Sequence, residues 1–230
     1  MNYFTLILLA IAPGAALIVF ILLHDRYDKE PFRLLLKVFV FGMLAVVPTI
    51  LVELGLQYIN FFSGIIGIAI QAFIIVGLTE EFFKRLVVTK SVLYKSEFNE
   101  MLDGIVYCAI ASLGFASIEN IFYVINYAAT DPTVWITRAF LSVPTHMLLG
   151  IIMGYYLSQY RFGTDPDKTR SAYRKALLIP AVLHGAFDFI IMSQLPYYIF
   201  ILIPLVVFLW IFGMVLLRRY YKLSKLQFGK

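Results

Sequence analysis

Seven stretches of this sequence are each long and apolar enough to cross a bilayer, at about 20 residues per crossing. They run from Tyr3 to Leu23, Leu34 to Leu56, Phe61 to Thr89, Met101 to Ala128, Val134 to Gln159, Ala176 to Ser193 and Tyr197 to Leu217. Lipid cannot satisfy backbone polar groups, so stretches of this length must be helices. The expected fold class is therefore all-α, a polytopic membrane protein of about seven transmembrane helices. The longest connection, between Gln159 and Ala176, is too short for a globular domain. Residues 1–230 thus read as a single integral-membrane domain, and any chemistry must lie among its helices. The first stretch lacks a basic leader and a small-residue cleavage site, and reads as a retained helix.

The basic residues test this division. Eighteen of nineteen fall at one end of the seven spans. Arg26, Lys29, Arg33 and Lys37 follow the first span; Lys84, Arg85, Lys90 and Lys95 end or follow the third. Five more follow the fifth span and five the seventh, leaving Arg138 alone at the other end. By the positive-inside rule the N-terminus lies outside and the C-terminus in the cytoplasm. Composition agrees, with 61% apolar and 14% charged residues against about 25% charged in soluble domains. The basic residues flank spans and form no stripe on a soluble module, so no nucleic-acid partner is expected. Cys108 is the single cysteine, which excludes an internal disulfide and a zinc ribbon.

An ionisable side chain inside a span is costly and marks a functional hypothesis by default. Those within or near the spans are Glu53, Glu80, Glu81, Asp103, Glu119, His146, His184 and Asp188. Glu53 lies near the outer end of its span and can reach the interface; Asp103 is at an edge. His24 opens the charged loop HDRYDKE and reads as solvated. At about 1.5 Å per residue, Glu119, His146, His184 and Asp188 fall near one depth, around mid-membrane. The segment VGLTEEFFKR, Val76 to Arg85, joins that layer if its helix continues through Leu86, Val87 and Val88. Otherwise its four charges end a span and sit among headgroups. In the longer helix, Glu80–Lys84 and Glu81–Arg85 are i, i+4 pairs in the favourable order. Lys84 and Arg85 then form a supporting ion pair set that holds one glutamate while the other does chemistry. Which glutamate does which is open.

Two histidines among several carboxylates allow three chemistries. A carboxylate and a histidine can activate water while the second histidine stabilises an oxyanion. Two histidines with carboxylates also form a ligand set for zinc or iron, although no HExxH occurs and the ligands come from at least three helices. A proton-coupled carrier is the non-enzyme alternative, because Glu/His chains also relay protons. Serine and aspartate intramembrane proteolysis fit less well: Gly114-Phe115-Ala116-Ser117 has the wrong spacing for GxSG, and no GxGD motif occurs.

The motifs then carry a resemblance. Glu80 to Arg85 fits EExxxR, Phe115 to Glu119 lies in GFASIENIFY, and His184 to Asp188 fits HxxxD, with His146 on the span between. In this order they resemble the PrsW family of bacterial intramembrane proteases, a relative of the CAAX prenyl proteases and bacteriocin-processing enzymes. The resemblance implies a multi-pass protein of the bacterial cell membrane, with the catalytic bundle within residues 61–193. It implies a membrane-embedded, glutamate-type endopeptidase with no cofactor, a zinc site being the minority possibility. Its substrate would be a single-pass membrane protein such as an anti-sigma factor, cut first during a stress response. Carried over by motif, the catalytic residues would be Glu80, Glu81, Glu119, His146, His184 and Asp188. Where the wider superfamily has FxxxH, this chain has Phe115 followed by Glu119, so His146 is expected to stand in from another helix. Asp188 stands where CAAX proteases use Asn; it must be protonated or orient His184. The resemblance places the cut near the outer face, whereas span depth puts Glu80 and Glu81 toward the cytoplasm.

Overall fold

The computed structural model describes residues 3–127, 131 and 133–229. Among these, seven helices are long and apolar enough to cross a membrane. They are α1 (Tyr3–His24), α2 (Phe32–Tyr58), α3 (Gly64–Ser91), α4 (Met101–Tyr127), α5 (Thr133–Phe162), α6 (Pro166–Met192) and α7 (Ile199–Phe228). No strand occurs among the described residues. The seven expected spans are present, and Ala128, the expected end of the fourth, lies outside the described residues. Two helices outrun the apolar stretch that announced them. α6 begins at Pro166 rather than Ala176, because Asp165 accepts the N–H groups of Asp167 and Lys168 and Pro166 is preset for a first turn. α7 runs to Phe228, since Tyr220 donates to the Tyr155 carbonyl (3.1 Å) and Ser224 to Glu100 (2.8 Å).

The bundle is built around α4. Of its most apolar 18 residues 89% are buried, against 22% for α1 and 28% for α7, whose remaining surface is Leu, Ile and Phe facing lipid. The sequence of α4 explains its place: Gly104, Ala109, Ala111, Ser112, Gly114, Ala116 and Ser117 let neighbouring backbones approach. Gly104 and Gly154 meet where α4 crosses α5, and a Cβ on Gly154 would run into the Gly104 carbonyl. Without an apolar solvent effect between helices in lipid, such contact supplies much of the association.

At the end where α1 turns into α2, the loop is folded inward. Asp25 accepts the Glu30 N–H (2.9 Å), Tyr107 donates to the Glu30 carboxylate, and both acids are buried. His24 is half-buried, its Nδ1–H donating to the Phe20 carbonyl (2.9 Å) and its ring lying on Phe20. The expectation of a solvated His24 is thus corrected, and Asp25 and Glu30 close the loop on itself and on α4.

Two helices contain one π-helical segment each, Gln71–Leu78 in α3 and Arg138–Ser142 in α5. π-segments inside α-helices recur at functional sites, where the extra residue per turn re-aims the side chains that follow. Here Glu80 follows the first within two residues, and His146 follows the second by one turn.

Candidate active site

α3 and α6 approach closely just beyond the first π-segment. A Cβ added at Gly77 would lie 2.9 Å from both the Ala181 carbonyl and the Gly185 N–H nitrogen. This contact faces the α3 turn carrying Glu80, Glu81 and Lys84 toward the α6 turn carrying His184. All four side chains are buried, as is His146 on α5.

Lys84 stands at the centre. Its Nζ donates to Glu80 Oε2 (2.8 Å), Glu81 Oε1 (2.9 Å) and His146 Nδ1 (2.9 Å), and lies 4.4 Å from the centroid of the Phe115 ring. An ammonium has three protons, and three acceptors use them. Because His146 Nδ1 accepts, the ring proton of the neutral imidazole falls on Nε2, which lies 2.8 Å from Glu119 Oε2. The structure therefore brings the histidine of α5 against the glutamate of the GFASIENIFY segment.

His184 bridges the other side. Its Nδ1–H donates to Glu81 Oε1 (3.0 Å), while Nε2 lies 3.4 Å from Asp188 Oδ2 and 3.8 Å from Glu80 Oε2. The His146 and His184 rings stand edge to face, 5.1 Å apart. The two glutamates are held differently. Glu81 is fully buried, and its Oε1 accepts from both Lys84 and His184. Among the described residues Glu80 accepts from Lys84 alone, and it keeps a side-chain exposure of 7%. Exposure rises to 16% at Asp188 and 21% at Glu119, so the cluster opens toward those residues. They lie toward the end of the bundle opposite the basic loops.

Several expectations change. Arg85 does not pair with Glu81; its Nη1 donates to the Tyr173 carbonyl (3.1 Å) and its guanidinium lies 4.5 Å from that ring's centroid. Residues three and four apart both reach a helical neighbour, and here one lysine bonds one oxygen of each glutamate while arginine turns away. Glu53 does not simply reach the interface. One of its carboxylate oxygens is buried without a hydrogen-bond partner, within electrostatic range of Glu80 and Glu119. Asp103 does lie at the edge of its span, where it is fully buried and caps its own helix, accepting the N–H groups of Asn99 and Glu100 (2.7 Å each).

Arg138 was missed as a site residue. It lies 3.2 Å from Glu119, donates through Nε to Asn120 (2.9 Å) and stacks 4.1 Å from the Tyr123 centroid. Asn120 in turn donates to the Ala10 carbonyl on α1 (2.7 Å). The signal was present in the charge map: it is the one basic residue that does not serve topology.

Glu80, Glu81, His146 and His184 each offer a ligand atom within 4.8 Å of the others, a donor set that suits zinc. The Lys84 ammonium contacts three of these four residues, Glu80, Glu81 and His146. A metal ion bound to these donors would face the positive charge of Lys84 at close range.

Comparisons with known proteins cover the part of the chain that holds the cluster. The family model described as PrsW family intramembrane metalloprotease matches residues 30–215. A protein named Protease PrsW from Clostridioides difficile (strain 630) is 38% identical over 97% of this chain and 94% of its own length. A second, from Bacillus subtilis (strain 168), is 38% identical over 92% of this chain and 93% of its own. A third, from Geobacillus kaustophilus (strain HTA426), is 38% identical over 83% of this chain and 81% of its own. No solved structure matches. The carrier reading gives way to this likeness. With seven membrane-spanning helices and a polar cluster at their centre, the chain belongs to the PrsW family of intramembrane proteases, endopeptidases of the bacterial membrane.

Proposed function

We propose that this endopeptidase works by glutamate-activated water, without a metal, and that Glu80 is the base. The observation that carries this reading is the position of Lys84 Nζ, 2.8 Å from Glu80 and 2.9 Å from Glu81, a resident cation held against both carboxylates. Glu81 has its bonded oxygen committed twice, to Lys84 and His184, and serves to fix both. Glu80 retains Oε1 without a hydrogen bond among the described residues and can take a water proton. The resulting hydroxide adds to the scissile carbonyl carbon, and His184, doubly protonated with its Nδ1–H on Glu81, donates from Nε2–H to support the oxyanion. On collapse the C–N bond breaks and the amine leaves with the proton held by Glu80. Asp188, beside Nε2, orients His184. Glu119 fixes His146 in the tautomer that accepts from Lys84.

The substrate class that suits a site buried among helices is a single-pass membrane protein, an anti-sigma factor being the example that the family resemblance offers. With the basic loops in the cytoplasm, the N-terminus lies outside and the open side of the cluster faces the outer half of the membrane. That arrangement reconciles glutamates midway along α3 with a cut nearer the outer face. A metal-dependent reading is favoured by the donor spacing and by the description of the matching family as metalloproteases, and it requires Lys84 to withdraw.

The test is co-expression with a tagged single-pass reporter. Glu80→Gln and His184→Ala are expected to abolish cleavage with protein levels unchanged, and Glu81→Gln to abolish it with a loss of stability. Normal cutting by Glu80→Gln would remove the assignment.

A further inference from the structure

Arg85, released from the glutamates, points into a groove of about 400 Å³ between α3 and α6, lined by Arg85, Arg170, Tyr173, Arg174, Leu177 and Leu178. We propose that this groove binds the phosphate of an anionic glycerophospholipid. Its three guanidinium groups have no carboxylate partner among the described residues, although Lys168 beside them pairs with Asp165 (3.2 Å). Arg170 and Arg174 are i, i+4 on one face of α6, a like-charge spacing that costs free energy until an anion sits between them. Arg85 is already oriented by the Tyr173 carbonyl and ring, and uses one of its five N–H donors there. Guanidinium forks match phosphate oxygens.

The apolar wall distinguishes a lipid from a free anion. Leu177 and Leu178 follow the arginines by one turn toward the membrane, and Leu178 is 53% exposed, where an acyl chain would lie. The groove is also at the end of the bundle carrying nearly all the basic residues, where anionic headgroups are drawn to juxtamembrane cations. A lipid phosphate held by Arg85 on one side and Arg170 and Arg174 on the other would tie α3 to α6. These are the two helices that bring Glu80 and Glu81 to His184, so the tie steadies the contact at Gly77 from below.

The experiment uses the full chain in nanodiscs of phosphatidylcholine with increasing phosphatidylglycerol, read by Trp fluorescence on heating and by native mass spectrometry. Neither readout depends on proteolysis. The wild type is expected to retain one phosphatidylglycerol and to gain on the order of 2–4 °C in Tm. Arg170→Gln/Arg174→Gln, both exposed positions, should lose both effects. Lys222→Gln/Lys225→Gln, which removes the same charge on α7, should keep them. Equal loss in the two pairs would overturn the site in favour of a general surface potential. Inorganic phosphate giving the same gain in phosphatidylcholine discs would overturn the lipid assignment. No effect of phosphatidylglycerol on the wild type would overturn the proposal outright.

Discussion

Lys84 Nζ donates to His146 Nδ1 across 2.9 Å, joining the third helix to the fifth inside the membrane. The same ammonium holds Glu80 and Glu81, so one proton donor sets the tautomer of a histidine and the orientation of two carboxylates together. A buried cation with three acceptors is a poor source of net stability, since its desolvation offsets most of the attraction. Its consequence is specificity of arrangement: every site residue is oriented relative to one point.

Removing that point leaves adjacent buried carboxylates without a counter-charge. Lys84→Met is expected to abolish cleavage and to destabilise the protein by about 3–5 kcal/mol, the range for breaking a buried ion pair on one side. Lys84→Arg should restore little, because a planar fork cannot direct three protons at converging acceptors. Thermal unfolding in nanodiscs, paired with reporter cleavage, checks both.

Arg138 acts through Glu119 and His146 rather than on substrate. Arg138→Gln should slow cleavage by roughly 10- to 100-fold, the scale for a partner that orients another group. Combined with Glu119→Gln, the loss should be well short of additive, since both act on one imidazole. A double-mutant cycle on the cleavage rate measures this; full additivity would mean that Arg138 does not work through Glu119.

Helix approach gives a packing prediction. Gly154→Val places a side chain into the Gly104 backbone on α4 and should cost about 1–3 kcal/mol, as overpacking does. At Gly55 a Cβ meets nothing within 4 Å, so Gly55→Ala should be neutral or slightly stabilising. The two Tm values should move apart.

The loop acids predict a pH dependence. Burial pushes Glu30 and Glu100 up to about 7, and Asp25 to about 6, from the usual carboxylate range. Between the ordinary value and the raised one, the folded state binds more protons than the unfolded. Stability is therefore greatest below about pH 4–5 for these groups and falls as pH rises toward 7. Tm measured across this window should decline, and Glu30→Gln/Glu100→Gln should flatten the decline; an unchanged slope would contradict it.

Span number and the motif residues were legible in the sequence because lipid imposes length and charge asymmetry on every helix. Of the pairing around Lys84, Glu80–Lys84 was legible and the partner of Glu81 was not, since i, i+3 and i, i+4 partners compete and Glu81 takes Lys84 rather than Arg85. Arg138 and the inward oxygen of Glu53 were hidden for a related reason. Position along a span gives depth, whereas facing depends on which neighbours crowd the helix. His146 against Glu119 needed two helices, and spacing along one chain segment could not supply that.

The central claim is that the charge at the heart of the site is the Lys84 ammonium and that Glu80 activates water without a metal. The most direct measurement is cleavage of a purified single-pass substrate by the enzyme in nanodiscs after exhaustive chelation, with metal content determined on the same sample. The account predicts undiminished cleavage with metal far below one ion per chain, and none from Glu80→Gln under the same conditions. Loss of cleavage on chelation, restored by stoichiometric zinc, would contradict it.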